Sequence, residues 1–395
     1  VGRANRPSLD RYGSTPGKTR RAATIGITRE SVKGSLEAVV ELFMEQGPWL
    51  TLSFLIADWL IRIGLSLQVA FMATLIAVLV ATAVIPSLKG GKLRIEVLPA
   101  GAVVPPFQLL DAVNKGTLDG GHGVLAYHYG KNTALALWGS GPAFGMDPNM
   151  VLAWHNYGGG KELLAESYKA LNIDVVSRVY GPMPTQPLGW FKKPIAKVDD
   201  MKGLKFRTVG LAVDIFTELG TSVNPLPGGE IVPALDRGLI DAAEFNNASS
   251  DRVLGFPDVV KNCMLQSFHQ SGEQFEILFN KTKFDALPAE LRNIVDVAVQ
   301  ASSADMSWKA IDRNSKDYED LKKQGIKFYK TPDAVLRAQL AAWDKVIAKK
   351  SAENALFKKV LESQREYAAR AGQWQNDYMV DFKMAYNHYF GKKKA

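Results

Sequence analysis

This 395-residue sequence predicts two similar α/β lobes followed by long helices. Three observations point to that fold class. From Gly90 onward the chain alternates short apolar strands with short helices closed by glycine, the rhythm of an α/β fold. DAVNKGTLDGGH (111–122) is matched in plan by PALDRGLIDAAE (233–244), about 120 residues later. Each runs helix, glycine cap, two residues, Asp, two small residues and a polar one. After Lys281 the pattern turns mainly helical.

The elements follow in order. KLRIEVLPAG (92–101) reads as a strand closed by a turn. PPFQLLDAVNKG (105–116) reads as a helix, with proline at its start and glycine at its end. TLDGGHG (117–123) is a strand edge. In the second lobe LKFRTVG (204–210) is a strand, AVDIFTELG (212–220) a helix and TSVNPL (221–226) a strand. GEIVPALDRG (229–238) is then a helix and LIDAAEF (239–245) a strand. Such alternation implies a mostly parallel sheet in each lobe. Pro288 opens a helix with Leu291, Ile294, Val295 and Ala298 at helical spacing, and Gly325 stops the charged helix that follows. IKFYK (326–330) is a short strand. Thr331, Pro332 and Asp333 start another helix, and 333–390 forms long helices broken near Gly372.

Charge and composition exclude some functions. The net charge is +8, but residues 1–35 hold eight Lys/Arg against Asp10 and Glu30 and so account for +6 of it. The remaining body has no basic stripe, which argues against a nucleic-acid partner. Ile63–Pro86 carries no charged residue over 24 positions, long enough to cross a bilayer. The basic segment before it would stay in the cytoplasm and the rest would be exported. Ala81-Thr82-Ala83 has the spacing of a signal-peptidase site. A cleaved signal, an uncleaved anchor and a buried core helix are all open at this point. The single cysteine, Cys263, sits in NCML and reads as a small buried hydrophobe.

No enzyme motif emerges. The five histidines never fall at i, i+4, and no second cysteine completes a zinc site. GSGPAFG (139–145) and GGGK (158–161) miss the spacings of nucleotide loops. What remains is a set of polar residues at or near strand ends: Gln186, Arg207, Glu244 and Gln270. Ligands of open α/β sheets collect beyond the carboxyl ends of the strands. Arg207 reads either as a surface arginine or as a bidentate clamp for a carboxylate, which its planar fork suits.

KGLKFRTVGLAVDIFTELG, GGEIVPALDRGLIDAAEF and SFHQSGEQFEILFNK resemble the substrate-binding proteins of tripartite ATP-independent periplasmic (TRAP) transporters, in their 2-oxo acid-binding branch. GGKLRIEVLPAG and FQLLDAVNKGTLDGGH resemble that family's first lobe. The likeness spans about residues 90–392. It implies a two-lobed periplasmic-binding-protein-like fold with a hinge, periplasmic location and delivery of a small carboxylate to a membrane permease, with no catalysis and no organic cofactor. The expected domains are an N-terminal segment (1–88), lobe I (89–184, with about 273–312 returning to it), lobe II (185–272) and a C-terminal helical region (313–395) packing on lobe II and across both lobes. The likeness further implies that Arg207 pairs with the substrate carboxylate and that Tyr127, Phe245 and Trp190 contact or wall the substrate. Gln186, Glu244 and Gln270 would hold Na⁺ or Ca²⁺ bridging the ligand. A second copy of the chain is a further candidate partner. A membrane-anchored sensory domain is the alternative, followed by an enzyme using Glu244 as base. The sequence departs from the family at Phe245, Gln270 and Pro182. It also has no strand–helix pair before GGKLRIEV, so lobe I is expected to be incomplete or poorly packed near 84–100.

Overall fold

The computed structural model describes residues 93–391, so the basic segment and the apolar run lie outside the described residues. Two sheets organise the described chain. Strands β1 (Gly120–Val124), β2 (Val175–Met183) and β8 (Glu273–Asn280) form one, in the order β1-β8-β2. The other contains β3 (Gly189–Phe191), β4 (Lys205–Arg207), β5 (Ser222–Val223), β6 (Ala242–Ala243), β7 (Asn262–Leu265) and β9 (Lys327–Lys330), in the order β5-β4-β6-β3-β7-β9. The helices are α1 (Leu109–Asn114), α2 (Leu137–Ser140), α3 (Pro148–Tyr157), α4 (Gly160–Ala170), α5 (Ala212–Glu218), α6 (Gly228–Asp236), α7 (Ala248–Leu254), α8 (Phe256–Val259), α9 (Lys281–Asp285), α10 (Ala289–Lys323), α11 (Asp333–Glu353), α12 (Ala355–Tyr378) and α13 (Phe382–Phe390).

Among the described strands, parallel pairing is confined to the second sheet. There β4 runs parallel to β5 and β6, and β7 to β9, while β3 opposes both of its neighbours. The first sheet is antiparallel throughout its described strands, because β8 returns between β1 and β2 and runs against both. Parallel sheets in both lobes were expected from the alternation, which does not register a returning strand. KLRIEVLPAG is not a strand over its described residues. Leu93–Pro99 pairs with nothing described, and Ile95 and Leu98 are exposed. A strand needs a neighbour for its ladder, and β1 is the sheet's edge among the described residues.

The second sheet is covered on both faces, as alternation along its strands requires. Phe191 and Phe206 stack at 5.8 Å on the face covered by α5 and α11, with Phe216 and Trp343 in the same cluster. Trp190 points the other way, into a cluster with Ile231, Leu235, Phe256 and Cys263. The chain crosses between sheets at 184–188 and 266–272. These two crossings bond to each other: the Gln186 amide donates to the Gln270 carbonyl (3.3 Å) and the Thr185 hydroxyl to that of Ser271 (3.1 Å).

Long helices tie the two sheets together. The 35 residues of α10 span about 52 Å at 1.5 Å per residue. Its early residues Val295 and Val299 pack with Tyr180 of β2, and its late residue Leu321 packs with Trp190. The helix break expected at Gly372 lies elsewhere. One glycine costs a helix only about 1 kcal/mol against alanine, and α12 runs through it. The breaks fall at Asn354, whose side chain caps α12, and after Tyr378. The start of α11 agrees with expectation to one residue, with Pro332 at its N-cap.

Candidate functional site

Strand β4 places Phe206 in the core and Arg207 on the opposite face, at the carboxyl end of the parallel pair β4–β6. Glu244 follows β6 immediately. Both side chains are sealed, at 1% and 0% exposure. Arg207 Nη1 donates to the Glu244 carboxylate (2.9 Å) and to its backbone carbonyl (2.8 Å), while Nε donates to the Leu226 carbonyl (2.8 Å). Burial raises the Glu244 pKa, and Arg207 pulls it back down. Phe245 lies under the guanidinium, 5.8 Å from ring centre to Cζ.

The two crossing segments bring in the amides. Gln186 Nε2 donates to Glu273 Oε2 (2.9 Å), and Gln270 favours the charged form of the same carboxyl. Glu273 opens β8 and is buried. Desolvation and the nearby Glu244 charge push its pKa up to about 8, against the pull of Gln186, Gln270 and Arg207. From the first lobe comes Tyr127, on the turn after β1, with its ring edge-on to Phe107 at 4.7 Å. Burial raises its pKa. Arg207, Glu244 and Glu273 act on its hydroxyl electrostatically, and the Gly228 backbone at the start of α6 helps hold its pKa down. The turn is anchored by the next residue, where His128 Nε2 meets the buried Glu276 carboxylate at 3.0 Å.

Polar atoms without partners gather here. Among the described residues, the buried atoms that find no partner include Gln186 Oε1, Arg207 Nη2, Glu244 Oε2, His269 Nε2 and Gln270 Oε1. Each such atom costs about 1–3 kcal/mol. Five together approach roughly 5–15 kcal/mol, the whole net stability of an ordinary domain. A fold tolerates that concentration where a ligand meets those atoms. Three of the five are oxygens, one on a carboxyl and two on amides, which is the donor set of a hard cation. The fourth, Arg207 Nη2, is a charged donor suited to a carboxylate. Among the described residues no group of three or more His, Cys, Asp or Glu can hold a metal ion, so a site of the zinc type is not formed there.

Of the residues singled out from the sequence, Arg207, Glu244, Gln186, Gln270, Tyr127 and Phe245 come together. Trp190 does not. It is fully buried in the core of the second sheet, against Phe256 at 5.9 Å, and its indole N–H donates to Asp251 (2.8 Å). Alternation along β3 puts it on the core side. Glu273 and His269 were missed. The available signal was a run of polar residues, His269 to Gln274, beside an apolar strand.

The profile of the bacterial extracellular solute-binding proteins, family 7, matches residues 79–354. A monocarboxylate 2-oxoacid-binding periplasmic protein of Nostoc sp. strain PCC 7120 is 32% identical over 290 residues, 73% of this chain and 79% of its own. The structure is similar to a TRAP transporter solute-binding protein from Bordetella bronchiseptica RB50, a mixed-occupancy dimer with calcium and picolinate in one active site and the other apo. The TM-score is 0.75 at 28% identity, covering 81% of this chain and 93% of that one. It is also similar to a TRAP periplasmic solute-binding protein from Pseudoalteromonas atlantica T6c with bound sodium and pyruvate, with TM-score 0.73 at 28% identity, covering 80% and 94%.

Proposed function

Because this chain belongs to the bacterial extracellular solute-binding proteins of family 7, we propose that it binds a small 2-oxo or 2-hydroxy monocarboxylate together with Na⁺ or Ca²⁺. In this reading it works in the periplasm and passes the acid to a TRAP membrane permease. The observation that carries the reading is the set of unpartnered buried atoms around Arg207. Arg207 Nη2 meets the carboxylate, and Tyr127 and Phe245 flank it. Gln186, Glu244 and Gln270 offer oxygens to the cation, which supplies positive charge for the acid's oxygens when bound. Arg207 keeps its fork oriented through Leu226 and Glu244, so little side-chain freedom is lost on binding. The Nostoc and Pseudoalteromonas relatives favour a 2-oxo acid over a sugar acid.

The lobes meet the site from both sides, with crossings at 184–188 and 266–272 as the hinge. A second copy of the chain is a further proposed partner, through α13. That helix buries none of its residues and exposes Phe382, Met384, Tyr386 and Phe390. The Bordetella protein is itself a dimer.

The test is a thermal-shift and calorimetric screen of 2-oxo, hydroxy and dicarboxylic acids, each with and without Na⁺ and Ca²⁺. A ligand at one hundred times its Kd stabilises the fold by about 2.7 kcal/mol. Stabilisation by pyruvate-like acids that depends on the cation, without turnover, is the expected result. Indifference to every monocarboxylate, with either ion, would reject the assignment.

A further inference from the structure

One unpartnered atom is neither an oxygen for the cation nor part of the Arg207 fork: His269 Nε2. His269 is fully buried, one residue before Gln270, and Arg207 lies within electrostatic reach. Its other ring nitrogen is engaged, and that engagement fixes the proton.

The chain of contacts starts on α11. The Phe268 amide donates to Gln339 Oε1 (2.8 Å), which sets the orientation of that amide group. Gln339 Nε2 therefore donates to Ser267 Oγ (2.9 Å). The Ser267 hydroxyl still has one proton to give. Its close partner is His269 Nδ1, at 2.6 Å, while Gln339 Oε1 is farther, at 3.1 Å, and already accepts from Phe268. So Nδ1 accepts, and in the neutral ring the proton sits on Nε2. Trp343, one turn after Gln339, holds the same segment through the Phe268 carbonyl (2.8 Å). The relay thus ends in an N–H that has no acceptor among the described residues.

We propose that His269 Nε2–H is a ligand-contacting donor to an oxygen of the bound acid, held in that tautomer by Gln339 through Ser267. This rests on the carboxylate-binding reading above. Its consequence is selectivity. A 2-oxo acid supplies an oxygen beyond those of its carboxylate, whereas a simple fatty acid leaves one more buried donor unmet. Ser267 and Gln339 are positioning residues.

The test compares pyruvate with propionate by calorimetry in the presence of Na⁺ and of Ca²⁺, for the wild type, His269→Phe, His269→Gln and Ser267→Ala. His269→Phe is expected to weaken pyruvate binding by about tenfold and to narrow the gap between the two acids. His269→Gln, which keeps a donor, should recover most of the loss. In the wild-type protein, ¹⁵N NMR of the imidazole should report the Nε2–H tautomer, with that resonance shifting on saturation with pyruvate. This readout does not depend on a variant folding. Undiminished affinity and selectivity in His269→Phe, or an Nε2–H signal unmoved by saturating pyruvate, would overturn the inference. Failure of the wild type to bind pyruvate at all would instead strike the reading on which it rests.

Discussion

Arg207 is sealed from solvent, so each of its donors matters. Replacing it with lysine keeps the charge but loses the fork. Calorimetry should find carboxylate affinity reduced more than about tenfold. Arg207→Ala should in addition lower the melting temperature, because Glu244 would be left as an uncompensated buried carboxyl; a variant that binds and melts like the wild type would refute both roles. His155 carries a pH prediction. Its Nδ1 accepts from the Trp138 indole (3.0 Å), and burial pushes its pKa down to about 4 from an ordinary value of 6.5. The unfolded chain therefore takes up this proton first. The stability that His155 contributes is complete above about pH 6.5 and is lost as pH falls toward 4, by about 3 kcal/mol in all. An NMR titration should keep this ring neutral through pH 6, and a midpoint near 6.5 would contradict the burial argument. Periodicity left Arg207 open between a surface arginine and a carboxylate clamp; the structure buries it at 1% exposure beside Glu244, which excludes the surface reading. Trp190 was misread because an aromatic residue on a three-residue strand gives no period long enough to assign its face.

Elements were legible where their ends carry chemistry, as at Pro106 and Pro288. The strand KLRIEVL has the right composition, but whether it pairs depends on a neighbour that composition cannot supply. Asn354 was not foreseen, yet it does two jobs. Its Oδ1 accepts the Leu356 and Phe357 amides at 3.0 and 3.1 Å, and its Nδ2 donates to Asn132 and Thr133. Asn354→Ala should cost about 1–2 kcal/mol in urea unfolding, and a loss within error would mean that water caps α12 equally well. Gly210 joins the two halves at α5. Its φ is +64°, and a Cβ there would stand 2.2 Å from Ser140 Oγ, the atom that accepts the Leu211 amide. Gly210→Ala should destabilise the protein by about 1–3 kcal/mol and impair closure of the two halves. A melting temperature equal to wild type would show that Ser140 can move aside.

At the scale of the molecule, the two-part plan was readable from the repeated helix–glycine–strand unit. The antiparallel first sheet was not, because its central strand arrives about 150 residues after its edge strand β1. Small-angle scattering should record compaction when a monocarboxylate and its cation bind, as hinge closure requires. Deleting residues 380–395 should turn a light-scattering dimer into a monomer without loss of ligand affinity. If the truncated chain still dimerises, α13 is not the contact. Cys263 is the only thiol in the chain, and it sits on β7 in the core of the second sheet at 2% exposure, with burial raising its pKa far above normal. A thiol reagent reaches it only when that core opens. The chain thus carries a built-in clock: the labelling rate of one unengineered atom reports how often the second lobe breathes, and how far bound acid slows it.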